Sequence, residues 1–204
     1  GELMAITADA LDKPRHGNGF VPGIVPILIA AGLFAWFLSF IPAVAAGEAV
    51  RVELPWIPSI GVTLSFLVDG LSLTFALLIS GIGALVLLYS TTYLAGHAPY
   101  ARFSMFLTMF MLSMLGLVLA DDLILLFVFW ELTTLTSYLL IGFSHENATS
   151  RRNALQALLL TAAGGLAFLA GLIITGFAAG TTSISGIIAQ GDVLRDHVLY
   201  PAIA

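Results

Sequence analysis

Glu131 is the residue whose type and position could most clearly do chemistry. It interrupts an otherwise apolar run, 123–143, that is long enough to cross a bilayer. At about 1.5 Å of rise per residue, a position nine residues after Asp122 and 12 before Phe143 lies near the middle of the membrane. A carboxylate there is costly unless it pairs with a cation, meets water or is protonated. Such a group can take up and release a proton; the alternative is a neutral carboxyl that hydrogen-bonds a neighbouring helix.

Hydroxyl side chains follow Glu131 at helical spacing. Thr134 and Tyr138 stand at i+3 and i+7 and share its helix face, and Ser137 adds a hydroxyl on the same turns. A polar face on an apolar helix can hold a short chain of water molecules. The alternative is that these hydroxyls bond back to carbonyls of their own helix. The sequence predicts a supporting polar face at Thr134, Ser137 and Tyr138.

Three further carboxylates precede apolar segments. Asp69 comes before one of them, and Asp121 and Asp122 come before the segment that holds Glu131. Aspartate is a favoured N-cap, and its charge suits the positive end of a helix. The same charges can also concentrate cations at an entrance. The sequence favours capping for Asp69, leaves both roles open for Asp121 and Asp122, and does not define a metal site.

The composition places these residues in a membrane. Apolar residues make up 59% of the 204, charged residues 9%, and the mean hydropathy is +1.05, whereas soluble domains carry about 25% charged residues. The net charge of −5 and the lack of a basic patch argue against nucleic acid as a partner. The chain has no cysteine, no phosphate-binding glycine loop and no His-Glu-x-x-His pattern. No cofactor is therefore predicted.

The hydropathy pattern predicts an all-α polytopic membrane protein with five transmembrane helices and a short extramembrane β-hairpin. About 20 apolar residues cross a bilayer as a helix. The predicted spans are 21–46, 70–94, 103–120, 122–143 and 154–179. The remaining segments are a polar N-terminal stretch, 1–20, external loops at 47–67 and 180–197, and an apolar start of a further span at 198–204. The chain is therefore expected to be part of a longer protein.

Two local patterns refine the first loop and the first span. Residues 50–54 and 62–66 alternate polar and apolar side chains around a Pro- and Gly-rich turn, which predicts the hairpin. Pro42, near the end of the first span, is expected to bend that helix.

The positive charges predict the orientation, because cytoplasmic loops carry an excess of Lys and Arg. With the N-terminus in the cytoplasm, five of the seven Lys and Arg residues lie inside and two lie outside. The opposite orientation would reverse these numbers. The two external residues are Arg51 and Arg195, and the internal ones are Lys13, Arg15, Arg102, Arg151 and Arg152.

The run at 129–143, FWELTTLTSYLLIGF, is the most distinctive motif of the chain. It resembles the family of antiporter-like subunits shared by multi-subunit Mrp-type cation/proton antiporters and respiratory complex I. The segments WIPSIG at 56–61, VDGLS at 68–72 and Tyr89-Ser90 resemble the same family in the same order. The resemblance covers roughly residues 50–200.

Two members of this family are alternatives, the large A-type subunit of the Mrp antiporter and the L subunit of complex I. The L subunit typically carries an arginine and an aspartate in the fifth span. The corresponding stretch here, TAAGGL at 161–166, has no charge. This departure favours the Mrp alternative, and it argues against coupling through an arginine–aspartate pair on this helix.

The resemblance also implies a fold and a site. The family has inverted helix repeats around broken helices, and its buried glutamate matches Glu131. A lysine on a later helix is the implied partner of that glutamate. Lys13 is the only lysine of this chain, so the partner is expected from outside it.

The implied function is that of part of the A-type subunit of a multi-subunit Na⁺/H⁺ antiporter in a bacterial inner membrane, with Glu131 transferring protons. Such a protein is a secondary transporter rather than an enzyme. The expected partners are other subunits of the complex, Na⁺, H⁺ and the lipid bilayer. One alternative is a proton-pumping L-type subunit of complex I, an enzyme component. The other is a structural remnant whose spans brace a complex.

Overall fold

The computed structural model describes residues 20–57, 62–94, 100–143 and 148–191. Within these ranges, five helical segments are long and apolar enough to cross a membrane, and two strands form one antiparallel sheet. The predicted fold class is thereby confirmed. In chain order the elements are α1 (Phe20–Leu38), α2 (Ile41–Ala45), β1 (Val50–Ile57), β2 (Val62–Val68), α3 (Gly70–Tyr93), α4 (Tyr100–Leu119), α5 (Leu123–Ile141), α6 (Ala148–Ala179) and α7 (Ile184–Ala189).

The first span consists of two helical pieces, α1 and α2, and not of the single helix predicted at 21–46. Helix α1 ends at Leu38, and a turn follows in which the amide of Phe40 donates to the carbonyl of Phe37 at 3.1 Å. Pro42 lies in the first turn of α2, where its missing N–H leaves no helical hydrogen bond unmade. The helix is thus interrupted directly before Pro42, the residue expected to bend it.

Helix α6 begins at Ala148, six residues before the predicted start at 154. Its 32 residues give a length of about 48 Å, against about 30 Å for the hydrocarbon core of a bilayer. The added residues include Arg151 and Arg152, and a hydropathy criterion misses them because this part of the helix is polar. Helix α6 therefore extends well beyond the apolar stretch that identified it.

The hairpin pairs β1 with β2 in antiparallel register, with Val50 opposite Val68 and Glu53 opposite Ser65. Both strands are longer than the predicted 50–54 and 62–66, and the register shifts between Pro55 and Ile57. A proline has no N–H to donate to the neighbouring strand, and the irregular pairing at this point tolerates the missing hydrogen bond.

The core lies between α1, α3 and α4, which pack against one another. Helix α5 then packs on α4, and α6 on α5, so the spans follow one another in chain order. Many large apolar side chains point outward, among them Leu28, Leu85, Leu160, Leu166 and Phe177. Apolar surface on this scale is expected for helices that face lipid or further helices.

Three predicted segments lie wholly or mostly outside the described residues. These are the polar stretch 1–20, of which only Phe20 is described, the predicted start of a further span at 198–204, and the end of loop 180–197. Within that loop, the short helix α7 runs from Ile184 to Ala189.

Candidate functional site

Glu131 lies near the middle of α5, half-buried between this helix and its neighbours. Eight residues separate it from Leu123 and ten from Ile141, which corresponds to about 12 Å and about 15 Å along the helix axis. Helix α5 is apolar before this position, and the residues after it include hydroxyl side chains but no charge. Glu131 is therefore the only residue of α5 with a formal charge, and it lies far from both ends of the helix.

The carboxylate of Glu131 faces Gly165 on α6. A Cβ atom built on Gly165 would overlap Oε1 of Glu131 and lie 3.5 Å from its Cδ and 3.9 Å from Nε1 of Trp130. The indole ring of Trp130 contacts the ring of Phe168, also on α6, with 5.0 Å between ring centroids. Helix α6 can thus approach Glu131 because residue 165, which is buried, has no side chain.

Glu131 also opens onto a groove of about 430 Å³ between α5 and α6. We refer to it as the Glu131 groove; its other lining residues are Phe127, Val128, Leu132, Thr134, Leu135 and Leu158. Apart from Glu131 and Thr134, all of them are apolar. Both ion pairs found among the described residues involve Arg51, and no described side chain donates a hydrogen bond to Glu131.

The predicted polar face at Thr134, Ser137 and Tyr138 is divided. Thr134 lines the Glu131 groove, and its hydroxyl donates to the carbonyl of Trp130 at 3.3 Å, a back-bond to its own helix. Tyr138 lines a separate cavity of about 260 Å³ together with Arg102, near the end of α5. Ser137 lines neither. The structure therefore brings only Thr134 into the same groove as Glu131.

Asp69 is the N-cap of α3. Its Oδ1 accepts a hydrogen bond from the amide of Ser72 at 2.8 Å, and its own amide donates to Oγ of Ser72 at 2.8 Å. These two bonds form a capping box. Of the two roles considered for Asp69, this geometry favours the cap.

Asp122 is the N-cap of α5 and also joins this helix to the segment after α6. Its Oδ1 accepts from the amides of Ile124 and Leu125 at 2.9 and 3.1 Å, and its Oδ2 accepts from the hydroxyl of Thr182 at 2.5 Å. The amide of Leu123 donates to the carbonyl of Thr182 at 2.9 Å. Asp122 is 2% exposed, so its charge is satisfied inside the protein.

Asp121 is the centre of a second cluster, which we call the outer clamp (Arg51, Asp121 and Ser185) after the orientation predicted from the sequence. The guanidinium of Arg51 lies 3.0 Å from Oδ2 of Asp121 and also donates to Oγ of Ser185. Ser185 donates to Asp121 from its amide and from its hydroxyl, both at 2.8 Å. Asp121 is 1% exposed. This geometry favours a structural role for Asp121 over a cation entrance.

The outer clamp connects three chain segments, and sequence reasoning missed it. The amide of Asp121 donates to the carbonyl of Ser65 on β2 at 2.8 Å, and its own carbonyl accepts from the amide of Ile184 at 3.0 Å. The hairpin, the α4–α5 connection and α7 are thus joined. No local pattern links Arg51 to Asp121, since 69 residues lie between them.

A metal centre is not apparent in the part of the chain that the structure describes. No group of three or more His, Asp or Glu side chains there is placed to hold a metal ion.

Two family models match the chain. The first is the N-terminal region of chain 5 of NADH-ubiquinone oxidoreductase (complex I), over residues 56–104. The second is the transmembrane region of NADH:quinone oxidoreductase/Mrp antiporter proteins, over residues 120–199. The second match contains Glu131, the groove and the residues of the outer clamp that follow β2.

Curated relatives share about 40% of the sequence. A Staphylococcus haemolyticus protein named as antiporter subunit mnhA2 is 42% identical over 199 residues, 97% of this chain and 24% of the relative. A Rhizobium meliloti protein named as the A/B subunit of a K⁺/H⁺ antiporter is 42% identical over 180 residues, 88% of this chain and 17% of the relative. The chain thus spans about a quarter or less of the length of these relatives.

Solved structures share the fold. The Mrp complex from Dietzia sp. DQ12-45-1b contains a chain with a TM-score of 0.69 and 31% identity, and the match covers 92% of this chain and 22% of that one. The membrane-bound sulfane sulfur reductase, an archaeal respiratory membrane complex, gives a TM-score of 0.72 at 19% identity, with 84% of this chain and 35% of that one covered. The second likeness, at this identity, shows the fold alone.

Fold, motif and relatives define the class: this chain belongs to the family of antiporter-like membrane subunits shared by NADH:quinone oxidoreductases and Mrp antiporters. Within that family it is a chain with five helical segments that are long and apolar enough to cross a membrane. It matches the N-terminal part of the A-type subunit of Mrp antiporters.

Proposed function

We propose that this chain forms part of the A-type subunit of a multi-subunit Na⁺/H⁺ antiporter, and that Glu131 takes up and releases the translocated proton. The observation that carries the proposal is the placement of Glu131. It is a half-buried carboxylate at the middle of an apolar helix, it opens onto the Glu131 groove, and no described cation pairs with it. An unpaired charge so placed is costly, and protonation, water or a cation from a neighbouring helix can offset that cost.

The partner that balances the charge of Glu131 is proposed to come from the rest of the assembly. The relatives are four or more times longer than this chain, so further helices are available to cover the Glu131 groove. The family resemblance implies a lysine on such a helix. A cation there would favour the deprotonated carboxylate, and its withdrawal would favour proton uptake. Movement of that cation relative to Glu131 would then couple proton transfer to transport of the monovalent cation.

Tyr138 marks the proposed route between Glu131 and the N-terminal side of the membrane. It lies seven residues after Glu131, about 10 Å along the axis, which is too far for direct proton transfer. Water near Ser137 and Tyr138 would bridge this interval. In the orientation with a cytoplasmic N-terminus, the cavity that Tyr138 shares with Arg102 faces the cytoplasm and the outer clamp faces outside.

Substitution of Glu131 tests the proposal. Glu131→Gln keeps the size and hydrogen-bonding capacity of the side chain but cannot titrate, so we expect Na⁺/H⁺ exchange to be lost while the complex still assembles. Glu131→Asp retains the charge one methylene further from the groove and should keep part of the activity. The measurement is Na⁺-dependent dissipation of ΔpH in everted vesicles, normalised to assembled complex. Wild-type exchange by the Gln variant would exclude a proton-transfer role.

A proton-pumping L-type subunit of complex I is the second candidate function. It is supported by the descriptions of both matching family models, which name an NADH oxidoreductase. The two candidates differ in their partners. Purified from its natural membrane, an L-type subunit would bring NADH-dependent quinone reduction with it, whereas an Mrp subunit would not. Repeating the vesicle assay with K⁺ in place of Na⁺ shows whether the exchanged cation is the proposed Na⁺ or K⁺, the cation named for the Rhizobium relative.

A further inference from the structure

Gly165 lies directly against the carboxylate of Glu131, and its lack of a side chain is what permits this. A Cβ atom at this position would overlap Oε1 of Glu131 and would lie 3.5 Å from Cδ. The adjacent residue, Gly164, is exposed, and a Cβ built on it would have no atom within 4 Å. The two glycines therefore differ in surroundings while sharing the same helix and the same local sequence.

Backbone conformation does not account for Gly165. Glycine is required where φ is positive, but among the described residues only Gly47 and Gly180 have positive φ. Inside a helix, glycine is less favourable than alanine. A buried glycine in the middle of α6 thus weakens the helix locally, and the nearest side-chain atoms to a Cβ built there belong to the carboxylate of Glu131, followed by the indole of Trp130.

We propose that Gly165 is a positioning residue for Glu131. Because no side chain covers its backbone, the carboxylate can lie between α5 and α6, and this fixes the depth and direction from which Glu131 exchanges its proton. The inference rests on the proposed function of Glu131. A methyl group at residue 165 would move the flexible end of the glutamate side chain toward the Glu131 groove, where Thr134 lies. The helices themselves need not separate, because only side-chain rotation is required.

The first test compares Gly165→Ala with Gly164→Ala in the full-length protein, expressed with its partner subunits. Both changes add one methyl to the same turn of α6. We expect Gly165→Ala to assemble and to lower exchange by about tenfold to a hundredfold, since a misplacement of about 1 Å at a reacting group has effects of this size. Gly164→Ala should match the wild type. Equal exchange by the two variants would overturn the proposal.

The second test follows the carboxylate without using transport. A hydrophobic carbodiimide reacts with accessible protonated carboxyl groups, and mass spectrometry measures the rate at residue 131. Gly165→Ala should raise this rate severalfold, because the carboxyl group moves from the helix interface into the groove, whereas Gly164→Ala should leave it unchanged. In a Glu131→Asp background, the labelling rate at residue 131 with Gly165→Ala, divided by the rate with Gly164→Ala, should be near one, because the shorter side chain does not reach the added methyl. An equal ratio in both backgrounds would refute a direct contact.

The outcomes separate this proposal from the function on which it rests. If Glu131→Gln still exchanges cations, the proposed function fails, and labelling alone decides whether Gly165 positions the carboxyl group. If Glu131→Gln is inactive while Gly165→Ala equals Gly164→Ala in both assays, only the positioning role fails. If Gly165→Ala does not assemble, assembly restored by Glu131→Asp supports the contact, and failure of that double variant overturns it.

Discussion

The outer clamp offers a stability prediction whose magnitude follows from its geometry. Asp121 accepts two hydrogen bonds from Ser185, both at 2.8 Å, and forms an ion pair with Arg51 at 3.0 Å. Hydrogen bonds to a charged group contribute about 1.5–3 kcal/mol each, and loss of the charge removes roughly half of that. Asp121→Asn keeps the size of the side chain and removes its charge. The side chain of Arg51 is 39% exposed, so solvent weakens its interaction with Asp121. We therefore expect Asp121→Asn to reduce the stability of the outer clamp by about 2–3 kcal/mol.

Hydrogen–deuterium exchange of the assembled complex measures this loss locally. Each 1.4 kcal/mol corresponds to about a tenfold change in an equilibrium constant, so Asp121→Asn should increase the opening of β1 and α7 by roughly 30- to 150-fold. Peptides covering Val50–Ile57 and Ile184–Ala189 report it directly. Amides within α3 should exchange as in the wild type, because α3 does not contact Asp121 in the described hydrogen-bond network.

Glu53 provides the matched control for the outer clamp. It also contacts Arg51, at 3.3 Å, but 54% of its side chain is exposed. Exposed ion pairs contribute about 0–1 kcal/mol, so Glu53→Gln should increase opening less than about fivefold. Similar effects of Glu53→Gln and Asp121→Asn would show that burial of Asp121 does not determine the strength of the clamp. Unchanged protection in Asp121→Asn would refute the calculation altogether.

Three further predictions concern caps, a turn and orientation. Asp69→Asn should be near neutral, because Asn caps about as well as Asp, whereas Asp69→Ala should lower stability by about 1 kcal/mol; loss of transport in an assembled Asn variant would show that the charge itself is needed. Gly180→Ala should destabilise the end of α6 by about 1–2 kcal/mol because φ there is +66°, while Gly164→Ala, equally uncrowded, should not; thermal melting of the two variants distinguishes them. Single cysteines at the exposed Ala49 and Ala148 of this cysteine-free chain should be labelled by an impermeant thiol reagent in intact cells only at residue 49; the reverse pattern would invert the proposed orientation.

The sequence predicts the spans well because hydropathy reports directly on the surroundings of each helix. All five appear, and the alternation at 50–54 and 62–66 locates the hairpin. The differences arise where hydropathy carries no information. Arg151 and Arg152 continue α6 because helix formation does not stop at the membrane surface. Ser39 and Phe40 interrupt the first span because a new helix, with Pro42 in its first turn, begins at Ile41.

The candidate site also has one feature that the sequence predicts and others that it does not. Glu131 is evident from sequence because one charge among apolar residues needs no structural context to be noticed. Its contact with Gly165 and the ion pair between Arg51 and Asp121 depend on which helix faces lie together, and no spacing in the chain encodes this. The glycines of α6 look alike in the sequence, yet Gly165 and Gly176 face a neighbour, while Gly164 and Gly171 do not.

The outer clamp and the contact at Gly165 both depend on the register between α5 and α6, that is, on how the two helices are aligned along their axes. At the first residue of α5, a Cβ atom built on Gly176 would lie 3.5 Å from Leu123, whose amide donates to the carbonyl of Thr182. From that level, eight residues of α5 lead to Glu131 and eleven residues of α6 lead to Gly165, about 12 and 16 Å respectively. The glutamate side chain can span this difference, but a slip of α6 by one turn, about 5.4 Å, would place a different residue opposite the carboxylate. The bonds between α5 and the segment after α6, together with the packing of the two helices, therefore hold the register in which a glycine contacts the proposed proton carrier.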